Sequence, residues 1–495
     1  MSLINIQNLT FSYEGSYDNI FENVSFQIDT DWKLGFIGRN GRGKTTFLNL
    51  LMGKYEYSGT ISASVDFEYF PYKVRDDSQN TIDVLGEIYP DFVYWQLQRE
   101  MSLLEVDEDV LYRPFSTLSK GEQTKVLLSI LFLKENSFLL IDEPTNHLDM
   151  RGRELVSRYL NRKKGFILVS HDRAFLDGCV DHILSINRAN IEIQKGNFSS
   201  WLENKERQDK YELAENEKLK KEIKRLKEAA REKAQWADKA EREKIGADPR
   251  KVDNTVGRRP YLAAKSKKMM KRAKAIEERS FRAAEEKSKL LKNIETAENL
   301  KISQLNYHSS RLISLRDISI SYGENTVCEG VSFDIEKGDR IALQGKNGSG
   351  KSSILKMIMG EDIPHTGEFQ KGSGIIISYV PQDTSFLCGN LSDFALEHGI
   401  DESLFKAILR KLDFSRAQFD KDMRDFSGGQ KKKVLIAKSL CEKAHLYIWD
   451  EPLNFVDVIS RIQIEELLLS FEPTILFVEH DRVFCEIIAN KTVNL

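Results

Sequence analysis

Four motifs occur twice in this 495-residue chain at a nearly constant offset, and that repetition constrains the fold more than any other feature. Lys44 recurs as Lys351, Ser119 as Ser427, Asp142 as Asp450 and His171 as His480, at offsets of 307, 308, 308 and 309 residues. A period that long means a duplicated domain, because solenoid repeats run about 20–50 residues. The chain therefore reads as two copies of one domain separated by a long charged segment.

Residues 38–45, Gly38-Arg39-Asn40-Gly41-Arg42-Gly43-Lys44-Thr45, match G-x-x-x-x-G-K-[ST] and lie between the apolar runs Leu34–Ile37 and Phe47–Leu51. Strand, loop, helix is the setting this motif requires. Its glycines let backbone N–H groups turn inward around phosphate, and the helix adds the positive end of its dipole. Lys44 is placed for the outer phosphates of ATP, with Thr45 as a ligand of Mg²⁺ and Thr46 next to it. Gly345, Asn347, Gly348, Gly350, Lys351, Ser352 and Ser353 repeat the arrangement.

Phe138-Leu-Leu-Ile-Asp142-Glu143 is an apolar run ending in two acids, and Leu446-Tyr-Ile-Trp-Asp450-Glu451 is its twin. In each pair the Asp is expected to hold Mg²⁺, and the Glu to orient or deprotonate the attacking water. His171 and His480 each follow an apolar strand, and in this constellation they read as γ-phosphate sensors. The expectation is two ATP-hydrolysing sites with Glu143, Glu451, His171 and His480 as catalytic residues.

The formal charge of -3 conceals an uneven distribution. Residues 203–301 carry 30 Lys/Arg against 20 Asp/Glu, whereas the rest of the chain carries 43 against 56. Acidic lobes flanking a basic arm point to a polyanion that meets the arm. Five scattered cysteines without a C-x-x-C pair argue against a disulfide framework, a zinc site or an iron–sulfur cluster. No apolar run approaches the ~18 residues of a membrane span. The first residues also lack the n- and h-regions of a signal peptide. A cytosolic, hence cytoplasmic, protein is expected.

Residues from about 203 to 245 contain neither Pro nor Gly, which suits a helix of about 64 Å at 1.5 Å per residue. Leu219, Ile223, Leu226, Ala230, Ala234 and Ala237 follow a mainly 4-3 spacing, and Met269 to Ala297 follow it strictly. Gly246, Pro249, Gly257 and Pro260 break the chain between these seams. The pattern predicts an antiparallel helical hairpin over 201–309 with its tip at about 245–262. Lys218–Lys274 hold 21 basic and 8 acidic residues. Lys251, Arg258, Arg259 and Tyr261 at the tip combine cations with an aromatic ring, a surface suited to RNA phosphates and unpaired bases.

Leu118-Ser119-Lys120-Gly121-Glu122 and Phe426-Ser427-Gly428-Gly429-Gln430 resemble the signature of ABC-type ATPases, and the resemblance covers nearly all of 1–200 and 310–495. It implies an α/β fold of two P-loop ABC-type nucleotide-binding domains joined by the hairpin linker. It also implies that each signature caps the nucleotide held by the opposite half. Residues 38–46 would then pair with Ser427–Gln430, and residues 345–353 with Ser119–Glu122. Tyr13 and Tyr322 match the aromatic that stacks on adenine, and Gln382 matches the Gln that ligates Mg²⁺. Asn146–Asp149 and Asn454–Asp457 match the loops that cross between halves. Two departures stand out. Tyr72 occupies the position of the first Gln, which leaves Mg²⁺ sensing there open. Lys120 replaces the first signature Gly and either assists phosphate binding or slows closure. Both Glu residues persist, so two hydrolysis-competent sites of unequal rate are expected.

Two ABC halves, a basic hairpin and no membrane span are similar to the ABC-F translation factors. The short stretch between Tyr72 and Ser119, and Leu453 at the position of Thr145, resemble the antibiotic-resistance group of the Lsa and Vga type. That resemblance implies binding of the ATP-closed form to the bacterial ribosome at the tRNA exit site. The tip would contact large-subunit rRNA and P-site tRNA and displace a lincosamide, pleuromutilin or streptogramin A. A monomer is implied, with its halves forming an intramolecular pseudo-dimer and no obligate transmembrane partner. A housekeeping ABC-F factor that rescues stalled or idle ribosomes shares this chemistry. An exporter ATPase would need a separate membrane partner. A coiled-coil DNA-repair ATPase carries its coil inside one ATPase domain, whereas here each half is complete.

Overall fold

The structure, a computed structural model, describes residues 2–495 apart from 14–18, 135, 147, 187–190, 246–303, 324 and 347. It comprises two compact units, one of Met1–Trp201 with Asn299–Leu495 and the other of Leu202–Glu298.

In the first unit the long apolar runs become parallel strands. Asp66–Phe70, Ser137–Asp142, Phe166–Val169, Lys33–Ile37, His182–Ile186 and Ile191–Lys195 lie side by side in that order, with only the last pairing antiparallel. The second copy has Ile377–Val380, Leu446–Asp450, Ile475–Val478, Arg340–Gln344 and Lys491–Asn494 in an all-parallel sheet. Phe138, Leu139, Leu140 and Ile141 are all buried, as expected of a parallel strand covered on both faces. This burial explains the uninterrupted apolar run. In each copy the strand before the histidine lies between the strand before the P-loop and the strand ending in the acids. Three adjacent carboxyl ends therefore deliver loop, acids and histidine to one crevice, the usual ligand position of such sheets.

Each copy also carries a three-stranded antiparallel sheet. Leu3–Phe11 lies between Phe21–Asp29 and Ser58–Ser62, and Arg311–Tyr322 between Asn325–Glu336 and His365–Lys371. The duplication extends to the irregularities. Asn8 (φ 51°) and Asp317 (φ 48°) interrupt equivalent strands, and their N–H groups donate to Ser25 Oγ and Ser332 Oγ, each at 2.8 Å.

The helix Phe198–Ile245 begins five residues before the charged run that announces it. Asn197 Oδ1 accepts from the Ser200 N–H and Oγ at 3.1 and 2.7 Å, and Phe198 and Trp201 are buried. This start depends on tertiary burial, which periodicity over 203–245 does not register. Along the helix, Arg207 pairs with Glu203 and Lys205 with Asp209 at i,i+4 spacing. The return segment of the expected hairpin and its tip, with Lys251, Arg258, Arg259 and Tyr261, lie outside the described residues. Among the described residues no helix is long and apolar enough to cross a membrane.

Candidate functional site

The first P-loop turns through left-handed backbone at Gly41 (φ 79°) and Gly43 (φ 91°). A Cβ on Gly43 would lie 2.5 Å from Ile20 Cγ2, so glycine is required there on steric grounds as well. Lys44 opens the helix Lys44–Leu51 and is buried. Its Nζ donates to Gly38 O at 2.7 Å and to Asn40 Oδ1 at 3.3 Å. Burial lowers its pKa, opposed by the carboxylates of Asp457, Glu143 and Asp142. Lys351 Nζ donates likewise to Gly345 O at 2.8 Å and Lys346 O at 2.7 Å. Burial lowers its pKa too, with Glu451, Asp149 and Asp450 opposing. Each lysine thus feels an aspartate of the other half, Asp457 for Lys44 and Asp149 for Lys351. Beside each loop stands a half-exposed tyrosine. Tyr13 OH is 2.8 Å from Thr46 Oγ1, and Tyr322 OH donates to Ser353 Oγ at 3.1 Å.

Asp142 Oδ2 accepts from Thr45 Oγ1 at 3.2 Å and from Tyr69 OH at 3.0 Å. In the second copy Asp450 faces the Ser352 hydroxyl, and its Oδ1 is buried without a hydrogen-bond partner. Burial raises the pKa of both aspartates. A hydroxyl beside one carboxylate in each copy fits Mg²⁺, which keeps several waters and takes phosphate oxygens. The orphaned Asp450 oxygen is an atom that such a cation would satisfy. No described residues form a cluster of three or more His, Cys, Asp or Glu able to hold a metal, so phosphate and water would complete the shell.

The two glutamates share a backbone and differ in their surroundings. Glu143 (φ 51°) and Glu451 (φ 46°) both occupy left-handed space, uncommon for a residue with a side chain and a frequent mark of functional sites. Their N–H groups are held by Val169 O at 2.9 Å and Val478 O at 3.0 Å. His171 Nε2 lies 3.3 Å from Glu143 Oε1 without the alignment of a hydrogen bond. Burial, with Asp142 adding to it, pushes the Glu143 carboxyl up to about 8. Burial, with Lys44 and Arg461 nearby, keeps His171 well below the usual imidazole range. Glu451 is different. Its Oε2 accepts from Gln382 Nε2 at 2.8 Å and Asn454 Nδ2 at 2.5 Å, and His480 Nε2 lies 3.6 Å from Oε1. Burial alone would raise this carboxyl, but these donors outweigh it and hold it below its usual value. Tyr72, at the position of Gln382, points elsewhere: its OH donates to Glu68 Oε2 at 3.3 Å under the Lys134 ammonium.

The halves meet head to tail at the first P-loop. Asn40 Nδ2 donates to Phe455 O at 2.6 Å. A Cβ on Gly429 would lie 2.7 Å from Asn40 Nδ2 and 2.3 Å from Phe455 O, so the signature packs on this loop only as glycine. Ser427 caps the helix Gly428–Cys441 through a reciprocal capping box with Gln430, and Ser119 caps Lys120–Leu131 with Glu122. Lys120 turns back along its own helix, Nζ to Gln123 Oε1 at 3.1 Å. The mirror of the Asn40–Phe455 contact would join Asn347 to His147, both outside the described residues. Away from the loops, Arg173 makes a buried two-pronged pair with Glu465 of the other half, whereas Arg482 meets Glu154 at 3.5 Å in solvent.

Sequence reasoning missed Tyr69 on Asp142 and Asn454 on Glu451. Tyr69 stands three residues before Tyr72 in the sequence, but nothing in the sequence names its partner.

A sequence profile of the ABC transporter family matches residues 21–146 and 328–454, together just over half of the chain. The chain is 28% identical over 501 residues to the ribosome protection protein VmlR of Bacillus subtilis (strain 168), covering 98% of this chain and 84% of that protein. It is 27% identical to the energy-dependent translational throttle protein EttA of Haemophilus influenzae, covering 96% and 89%. Among solved structures, the archaeal ribosome recycling factor aABCE1 superposes with a TM-score of 0.64 at 19% identity, covering 98% of this chain and 87% of that one. This last likeness is one of fold.

Proposed function

Because the chain belongs to the ABC transporter family and is an ATP-hydrolysing member of it, we propose that it is a cytoplasmic ABC-F ATPase acting on the bacterial ribosome. The observation that carries this reading is alignment along almost the whole chain, charged middle included, with a relative named as a ribosome protection protein. The basic surplus of residues 218–274 supports it, since rRNA is the polyanion such a segment would meet.

ATP binds between the first P-loop and Ser427–Gln430, and between the second P-loop and Ser119–Glu122. The outer phosphates displace the loop carbonyls that hold Lys44 and Lys351. Thr45 with Asp142, and Ser352 with Gln382 and Asp450, would hold Mg²⁺, which neutralises charge on the transferred phosphoryl group when bound. Glu143 and Glu451 accept the proton of the attacking water, and His171 and His480 sense the γ-phosphate. Glu451 is held ionised and oriented and Glu143 is not, so the two sites turn over at unequal rates. Closed halves bind the ribosome at the tRNA exit site, and hydrolysis releases them, a switch that requires differential affinity for the closed state. The tip residues Lys251, Arg258, Arg259 and Tyr261 reach rRNA and P-site tRNA near the peptidyl-transferase centre, and a lincosamide, pleuromutilin or streptogramin A leaves. The chain acts as a monomer of the Lsa/Vga-type resistance group, with domains at 1–200 and 310–495 and the hairpin between them.

The test is Glu143→Gln with Glu451→Gln, mixed with ribosomes and ATP and sedimented through sucrose. Trapping in the ribosomal pellet with ATP and not with ADP is expected; an ATP-loaded protein that stays in the supernatant refutes ribosome action. The relative named as a translational throttle supports a second reading, a housekeeping ABC-F factor. Drug tolerance on expression in a susceptible host separates the two. Alanine at Arg258, Arg259 and Tyr261 should abolish that tolerance while ATPase activity persists.

A further inference from the structure

The second copy buries a lysine that the first lacks. Lys432 lies in the first turns of the helix Gly428–Cys441 and is 1% exposed. Its Nζ donates to Pro381 O at 2.8 Å and to Asp450 O at 3.3 Å. Pro381 precedes Gln382, which holds Glu451, and Asp450 is the expected Mg²⁺ ligand, so the ammonium is fastened to both flanks of the second site. Burial pushes Lys432 down to about 8, and Glu479, Asp450, Glu451 and Asp383 are the carboxylates that counter it. Glu479 is itself buried and accepts from three backbone N–H groups: Leu453 at 3.1 Å, His480 at 2.7 Å and Asp481 at 3.3 Å. In the first copy the equivalent positions are Thr124 and Ser170. Among the described residues Thr124 Oγ1 bonds back along its helix, to Lys120 O at 2.9 Å, and Ser170 Oγ faces Thr145 Oγ1 at 3.3 Å.

The amino end of the Lys432 helix is the segment packed on the first site, with Gly429 against Asn40 and Phe455. One rigid element therefore touches both sites. We infer that Lys432 is a positioning residue that couples the two ATP sites, tying the cap of the first to the backbone around Gln382 and Asp450 of the second. Occupancy of the second site shifts those carbonyls, and the lysine carries the shift along its helix to Ser427–Gln430. Among the described residues the first copy has no such tie from Thr124, so the coupling is directional. This inference rests on the proposal that Ser427–Gln430 caps the first nucleotide.

The test uses the full chain carrying Glu451→Gln, so that only the first site turns over, with the second site filled or emptied by Lys351→Ala. Each is compared with and without the exchange of Lys432→Thr with Glu479→Ser, which imports the pair of the first copy and leaves no buried charge alone. Emptying the second site should cut first-site turnover by about tenfold in the parent, within the usual range of inter-site coupling. In the exchanged background the cut should be under about twofold. Equal cuts in both backgrounds, or no cut in the parent, overturn the inference. A purely structural lysine would lower turnover regardless of the second site. Should the exchange unfold the protein, Lys432→Met, which leaves Glu479 its three N–H donors, is put through the same comparison. Ser427→Arg checks the underlying reading: unchanged first-site turnover in that variant means the signature does not cap this site.

Discussion

Two glutamates with the same neighbours in sequence occupy opposite electrostatic states. Glu143 is half-buried beside Asp142 with no donor aligned on its Oε1, and its carboxyl is pushed up to about 8. Glu451 is about as enclosed, yet His480 lies beside it, Asn454 and Gln382 donate to it, and it stays below its usual value. The first copy keeps Asn146 and His171, yet among the described residues neither side chain hydrogen-bonds Glu143, and Tyr72, in place of Gln382, gives its hydroxyl to Glu68. A charge is tolerated in a dry crevice only when it is solvated by fixed donors; the Gln-to-Tyr difference removes one of them, and the His and Asn of the first copy are not aligned to supply the others. Identical motif letters therefore do not guarantee equal chemistry.

The sharpest way to break this comparison is to delete each base in turn. Loss of a general base costs about 10²–10⁴ at its own site, so Glu451→Gln should remove most of the total ATP turnover near neutral pH. Glu143→Gln should remove the minor part; equal losses would show that nucleotide erases the difference. The next test restores the missing donor. In the Glu451→Gln background, Tyr72→Gln should raise first-site turnover by about three- to tenfold, roughly the net worth of one intramolecular hydrogen bond. Steady-state phosphate release measures both effects.

The pH dependence follows from the same shifts. A base acts when ionised, so first-site turnover should climb as pH rises through about 8, whereas second-site turnover should already be level there. Stability has the opposite sign. Glu143 in the folded chain keeps a proton between its ordinary value of 4.5 and about 8, so folded stability falls as pH rises across that window. Glu143→Gln, neutral throughout, should melt higher than the parent above pH 8 and show a flatter pH dependence, which thermal denaturation of the nucleotide-free protein reads. Smallest is the contrast at the edges of the interface. Arg173→Ala strands Glu465 in the interior and should cost about 3 kcal/mol, whereas Arg482→Ala frees a solvated pair worth under about 0.5 kcal/mol.

Much of this arrangement was legible in the chain itself. Phosphate loops, acids and histidines are local: each is a short string at the end of a strand, and strand ends of a parallel sheet converge. The partners of those residues were not legible. Tyr69 reaches Asp142 across 73 positions and Gln382 reaches Glu451 across 69, distances over which no periodicity operates. The left-handed backbone at both glutamates was hidden for a related reason, since Val169 and Val478, each on a neighbouring strand, hold it. Lys432 reads as one of three consecutive lysines, Lys431 to Lys433, and a run of lysines suggests a solvated face. Folding buries two of the three.

The two glycines of the second signature differ in the room around them. At Gly428 an added Cβ meets Phe455 no closer than 3.4 Å, ordinary contact, whereas at Gly429 it would strike a carbonyl at 2.3 Å. The first of these positions has slack and the second has none. In the other copy the slack position is Lys120 and the tight one is Gly121. Clearance at the second signature thus tolerates a side chain at its first glycine and not at its second, the same pattern of letters that Lys120 and Gly121 show in the first.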